Sequence, residues 1–191
     1  MKVKNASDLN SIFGTPYVKV GKDYKESPKW EAENLVNVDL PFPMRLAWNI
    51  DITVSKVRVH KLIAPRVTQA LTAVWNKARY MCKQKYGFKE TTKFYDTKAL
   101  ELLRSLNLDL YGGAYNFRPK RNSNDISMHA YGLALDIDPS HNVLGSKKTT
   151  LPGWYIGCWT SAGFDWGGNW IKRKDPMHFE CKKVAEPEEK S

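Results

Sequence analysis

Four histidines occur in the 191-residue chain: His60, His129, His141 and His178. Two of them stand in company that can do chemistry. His129 lies in SMHAYGLALDID, seven residues before Asp136, and His178 lies in KDPMHFE, three after Asp175 and two before Glu180. Seven is odd, so an unbroken strand, with its period of two, cannot turn His129 and Asp136 to one face. Gly132 offers the break: His129 then sits on a turn and Asp136 on the strand that follows. Carboxylates set in so apolar a run need a partner, because an unpaired buried charge is very costly. A metal ion answers that need. Two imidazoles and a carboxylate make a ligand set that suits a catalytic zinc with its fourth position open to water. Zinc lowers the pKa of such a water and polarises a carbonyl. A free carboxylate beside it would take the proton and hand it to a leaving amine. Asp175 is the candidate, brought back over His178 by the tight turn that Asp175-Pro176 favours, and Glu180 is its rival. On spacing alone the other reading stays open: two ordinary histidines, one orienting a turn and one on the surface.

These residues need elements to hold them. Leu133–Asp138 reads as a strand, with Ala134, Asp136 and Asp138 on one face and Leu133, Leu135 and Ile137 on the other. His178–Cys181 reads as another, Ala114–Arg118 as a third, and Trp154–Gly163 as a short helix. Upstream, Leu46–Val59 alternates with period two, placing Leu46, Trp48, Ile50, Ile52 and Val54 on one half-buried face. Pro65 suits a first helical turn. Val67, Leu71, Val74, Ala78 and Met81 then recur at three and four, until Gly87 closes the helix. A shorter helix is expected over 97–107. Residues 1–45, with four prolines, read as an extended arm packed on a domain at 46–183, and 184–191 as a solvated tail. Helices early and short strands late give an α+β class, a small antiparallel sheet with helices packed mainly from the N-terminal half.

Composition bounds the partners. With 42% hydrophobic residues and 22 Gly plus Pro, the chain is neither disordered nor fibrous, and its length suits one domain. The net charge of +10 is uneven: residues 1–125 hold 22 basic and 12 acidic residues, and 126–191 hold 8 of each. The excess concentrates in 56–98, with eleven Lys and Arg against Glu90 and Asp96. That surface would attract a polyanion. A nucleic-acid partner is not expected, since no recognised module accompanies the charge. No apolar run is long enough to span a membrane, and the first residues have no apolar core of a signal peptide. Cys82, Cys158 and Cys181 lack zinc-finger spacing and read as free thiols.

The run Ser127-x-His129-x-x-Gly132-x-Ala134-x-Asp136, followed by Asp175-x-x-His178, resembles the zinc D-Ala-D-Ala carboxypeptidases and L-alanyl-D-glutamate endopeptidases that cut peptidoglycan stem peptides. Flanking elements extend the likeness over roughly 40–181: Tyr115-Asn116-Phe117-Arg118 upstream and Gly163-Phe164-Asp165-Trp166-Gly167-Gly168-Asn169-Trp170 downstream. The resemblance implies a zinc DD-peptidase-like fold, with one zinc on His129, Asp136 and His178 and Asp175 as general base and acid. It implies that Arg118 steadies the developing oxyanion or a substrate carboxylate. Ser127 would hydrogen-bond substrate or support a ligand. Trp166, Gly167, Gly168 and Trp170 would shape the cleft rim, and Tyr131 is a further substrate-binding candidate. Asp138 is expected to support the sheet or a histidine, His141 to be exposed, and His60 to pack. The expected activity is that of an endolysin-type L-alanyl-D-glutamate endopeptidase. The alternatives are the carboxypeptidase of the same family or a non-catalytic wall-binding protein. The expected protein is a monomer; the missing leader fits synthesis in the cytoplasm and contact with peptidoglycan after release, and the basic 56–98 surface would be attracted to anionic wall polymers.

Overall fold

The computed structural model describes residues 6–21, 23–119 and 125–182, so residues 120–124 and the tail expected at 184–191 lie outside the described residues. A short helix α1 (Ala6–Phe13) and a hairpin of β1 (Tyr17–Val20) and β2 (Asp23–Glu26) lead to α2 (Pro28–Asn34). Ser27 caps α2 by accepting from Trp30 N–H at 3.3 Å, and Pro28 opens it, where its missing N–H costs nothing. β3 (Leu35–Leu46) and β4 (Asn49–His60) then form a long hairpin, followed by helices α3 (Ala64–Tyr86) and α4 (Thr92–Ser105). β5 (Leu110–Gly113), β6 (Ala134–Ile137), helix α5 (Gly153–Ser161), β7 (Asp165–Trp166) and β8 (His178–Glu180) complete the described chain.

The residues expected as an extended arm thus include two helices, a hairpin and most of β3. The arm is tied down by two rings that share one acceptor. Trp30 Nε1 donates to the Phe13 carbonyl at 2.9 Å and His60 Nε2 lies 3.0 Å from the same oxygen. Because His60 Nδ1 accepts from Leu62 N–H, its other nitrogen must carry the proton. Burial pushes the His60 pKa down to about 4, so the ring stays neutral.

The main sheet has six strands in the order β4-β3-β5-β6-β8-β7. It is mixed, not antiparallel as expected: β3 and β5 run parallel, Arg45 opposite Leu110 and Leu46 opposite Tyr111. Asp109, fully buried, accepts two bonds from the Arg45 guanidinium at 2.6 and 2.7 Å and so fastens the α4–β5 connection to β3. β5 begins and ends earlier than the strand expected at 114–118. Helix α4 starts five residues ahead of its expected position because Thr91 caps it, accepting from Phe94 N–H at 3.2 Å.

The largest departure concerns the alternation in 46–59. Pro41 and Pro43 cannot donate to a strand ladder, and the β3–β4 register jumps between Asp39↔Lys56 and Met44↔Val54. The bulge turns Phe42 inward, 3% exposed and stacked on Trp75 of α3 with ring centroids 5.5 Å apart. Helix α3 follows β4 after a three-residue turn, and the buried residues of β4 are Val57, Val59 and His60 at its end. Ile50 and Ile52, with Trp48 of the turn, remain exposed at 56, 47 and 66%. The alternation holds, but Trp48, Ile50 and Ile52 of its apolar stripe face outward, while Val54 packs against the core.

The core lies between the sheet and α3, α4 and α5. The inward face of α3 presents Val67, Ala70, Leu71, Val74 and Ala78, all at most 1% exposed. Trp159 of α5 stacks on Phe179 of β8 at 5.0 Å, which seats the strand carrying His178 directly on the core.

Candidate metal centre and cleft

Ser127 starts the local structure that presents His129. Its hydroxyl accepts from His129 N–H at 3.3 Å and opens a 3₁₀ turn over Met128–Tyr131. Gly132 ends that turn at φ 65°, and a Cβ there would meet the His60 backbone nitrogen at 2.8 Å, so only glycine fits. The chain then enters β6. In the β6–β8 ladder Asp136 stands directly opposite His178, on the same side of the sheet. Turn and ladder together bring the three side chains to one point.

Their ligand atoms all lie within 4.8 Å of one another. His129 Nε2 is 3.2 Å from His178 Nδ1 and 3.3 Å from Asp136 Oδ2, and His178 Nδ1 is 3.0 Å from Asp136 Oδ1. The outer nitrogens decide the tautomers. His129 Nδ1 meets the Ala114 carbonyl at 2.7 Å, and a carbonyl only accepts, so that nitrogen carries the proton. His178 Nε2 faces Glu180 Oε2 at 3.3 Å and donates to it. Both inner nitrogens therefore turn lone pairs toward the Asp136 carboxylate, three acceptors converging without a donor. Ligand atoms about 2.0–2.1 Å from a tetrahedral zinc lie about 3.3 Å apart, close to the separations here. The residues fit a divalent cation.

Without one, a proton takes its place. Burial alone would lower the His178 pKa, but hydrogen bonds to Asp136 and Glu180 and their charges raise it to about 9. Burial likewise opposes ionisation of Asp136, and the two imidazoles overcome it, holding that carboxyl well below the usual range. Glu180, 5% exposed, is held down by His178 and Lys182 in the same way.

The three ligands open onto a cleft of about 400 Å³, whose wall includes Arg118, Ser127 and Asp175. Asp175 is set by backbone on both sides: its N–H donates to Gly167 O at 3.0 Å, and its carbonyl accepts from His178 N–H at 3.0 Å, closing the expected turn. Glu180, the rival base, is engaged on the other edge of the His178 ring with Lys182 on its second oxygen.

Three substrate-binding expectations need correction. Tyr131 is 1% exposed and donates from its hydroxyl to Asn10 Oδ1 at 2.6 Å, so it belongs to the core beneath the turn. Gly167 is buried, and a Cβ there would strike the Asp175 carbonyl at 2.5 Å; its work is to let the Asp175 segment approach. Trp166 donates from Nε1 to Pro176 O at 2.8 Å and packs on the core. The tryptophan on the cleft wall is Trp170, whose ring lies 5.3 Å from that of His178.

Asp138 serves neither zinc nor a zinc ligand. At φ 47° and fully buried, it gathers Ser140, His141, Asn142 and Thr150 into one hydrogen-bonded loop. His141 is exposed, as expected. The cysteines are thiols, Cys82 and Cys181 buried and Cys158 half-buried. Sequence reasoning passed over Lys172 and Arg173, which also line the cleft beside Leu144 and Met177. Their neighbour Lys174 is tied to Gly168 O at 2.7 Å and fixes the segment. The KRK triplet stands in the sequence, but the zero charge sum over 126–191 conceals it.

Among the described residues no helix is long and apolar enough to cross a membrane. No curated protein and no solved structure matches the chain. A model of the M15 peptidase family described as D-alanyl-D-alanine carboxypeptidase matches residues 120–181, about a third of the chain. That segment carries all three converging ligands and Asp175, so this part of the protein is related to the zinc D-Ala-D-Ala carboxypeptidase family.

Proposed function

We propose that the protein is a zinc-dependent peptidase that hydrolyses an amide bond in the stem peptide of peptidoglycan. The observation that carries this reading is the convergence of His129, Asp136 and His178 on one point, inside the segment that matches the peptidase family and beside Asp175 in the same cleft. Zinc bound by these three residues would supply Lewis acidity, polarising the scissile carbonyl and acidifying a water.

The chain's own groups supply the rest. Asp175 holds its carboxylate at the cleft wall, anchored by Gly167 and by the turn to His178, where it takes the proton from the attacking water and returns it to the leaving amine. Arg118 offers a permanently charged fork to the oxyanion or to a substrate carboxylate. Glu180 keeps His178 in the tautomer whose Nδ1 faces inward. Met177 and Leu144 give the cleft apolar wall against which small side chains pack.

From sequence the endopeptidase was the first expectation. The family description favours the alternative, removal of a C-terminal D-Ala, and the cations of the cleft suit a substrate that ends in a free carboxylate. Digestion of purified peptidoglycan followed by mass spectrometry separates the two. Loss of a single D-Ala is the expected result; a new N-terminal D-Glu would restore the endopeptidase, and unchanged muropeptides with zinc present would end the peptidase reading. The route to the wall, synthesis in the cytoplasm followed by release, remains part of this proposal, as does a monomeric state.

A further inference from the structure

The basic surface at 56–98 divides when its partners are traced. Lys56 pairs with Asp39, Arg58 with Glu31, Arg79 with Asp96 and Lys98 with Glu101. Lys61 donates to Glu33 O and Arg66 to Ala162 O. Lys77, Lys83, Lys85, Lys89 and Lys93 have no carboxylate partner among the described residues, and four of these five fall between the last turn of α3 and the first turn of α4.

That segment is exposed throughout 84–93. The last buried residue of α3 is Cys82 and the first of α4 is Tyr95. Gly87, at φ 87°, ends α3 in a conformation that L side chains rarely adopt, and the Thr91 cap starts α4, so the connection between them is short and fixed at both ends. It presents Phe88 at 62% exposure and Tyr86 at 43%, with Tyr80 at 51% one and a half turns back along α3. Lys85 Nζ sits 5.2 Å from the Tyr86 ring and Lys77 Nζ 5.7 Å from that of Tyr80. A solvated lysine face needs no exposed phenylalanine at its apex.

We infer that this α3–α4 tip docks on an anionic lipid surface, Phe88 and Tyr86 entering the interface and the exposed Lys85, Lys89 and Lys93 meeting the headgroups, with Lys83 behind them over the Tyr95 ring. Charge complementarity selects the partner: four cations stand against Glu90 alone between 83 and 93. The exposed aromatics separate it from a charged polymer, because Phe88 and Tyr86 among the lysines offer an apolar contact that a polyanion does not need. Aromatic rings flanked by lysine form the composition that settles at a bilayer interface. This inference concerns peripheral attachment and stands apart from the peptidase reading.

The test uses the full-length protein and sedimentation with phosphatidylcholine vesicles, with and without phosphatidylglycerol. Binding is expected only to the anionic vesicles and should weaken as salt is raised. A lysine at an anionic surface contributes about fivefold, so reversing charge in Lys85→Glu/Lys89→Glu should lower binding by more than about twenty-fivefold. Phe88→Ala should lower it about tenfold through lost apolar burial, without changing the salt dependence. Hydrolysis of a soluble substrate and the circular dichroism spectrum should be unchanged in all these variants. Equal binding to neutral and anionic vesicles, or none to either, would overturn the inference. So would binding that is insensitive to Phe88→Ala and is displaced by soluble polyphosphate, which would reassign the tip to a polyanionic polymer.

Discussion

The cleft and the α3–α4 tip use ionisable groups in opposite ways. On the floor of the cleft the buried carboxylates are each held by a partner: Asp136 by two imidazoles, Glu180 by His178 and Lys182. At the tip Lys85, Lys89 and Lys93 are exposed, and with half-buried Lys83, which lies over the Tyr95 ring, they have no carboxylate partner among the described residues. The first arrangement is rigid and short-ranged, held by strands whose register leaves little freedom. The second is long-ranged, tolerant of position and weakened by salt. Chemistry at a scissile bond needs side chains fixed to fractions of an ångström, whereas attraction to a charged surface needs only a sum of charges. The net charge of +10 therefore says little about the reaction.

Substitution should break the contrast most sharply at the cleft. His178→Ala removes one of three ligands, and both bound zinc and activity should fall together by more than about a thousandfold; elemental analysis beside a hydrolysis assay reads this, and an active zinc-free variant would contradict it. Asp175→Ala should retain stoichiometric zinc but lose about 10²–10⁴-fold in kcat, the usual contribution of a positioned proton carrier. If zinc were lost as well, Asp175 would be a ligand and not a base.

The pH dependence follows from the same groups. In the metal-free site the His178 pKa lies near 9, so at pH 7 zinc must displace a proton. Apparent zinc affinity should then rise about tenfold per pH unit from 6 to 8 and level off above about 9, measured in zinc-buffered titrations. Stability of the metal-free protein should move the other way. A folded pKa raised above the ordinary 6.5 stabilises fully below 6.5, and that contribution is lost as pH climbs through 9. Asp136 and Glu180, held low, contribute above their ordinary values and lose that contribution as pH falls. Thermal melts of the chelated protein between pH 3 and 10 should show both flanks.

The smallest effect belongs to the outward stripe of β4. Ile50→Thr should change stability by less than about 0.5 kcal/mol, since the side chain is 56% exposed. A cost of 2 kcal/mol or more in chemical denaturation would mean that the stripe is covered in solution.

The site was more legible than the scaffold. His129, Gly132 and Asp136 lie within eight residues, and local chemistry predicts their turn and strand directly. Asp175-Pro176 predicts the second turn for the same reason. The helix at 64–86 announced itself by period and by Gly87. What escaped depends on contacts distant in sequence. No local pattern shows that Pro41 and Pro43 displace a register, or that Val57 and Val59 of β4 join the core while Ile50 and Ile52 stay exposed. Tyr131 lies two residues from His129, yet successive residues of a tight turn point in different directions, and this one points at Asn10, 121 positions away in the chain.

That contact gives the N-terminal helix a mechanical role. Asn10 grips the hydroxyl of Tyr131, two residues beyond a proposed zinc ligand, while the Phe13 carbonyl is clasped by the rings of Trp30 and His60. His60 in turn donates its backbone N–H to Gly132 O, the residue that ends the same turn. Helix α1 therefore acts as a wedge under the platform on which His129 stands. A protease that clipped the chain after Phe13 would leave the cleft's own residues untouched, and the first thing to drift would be the aim of His129.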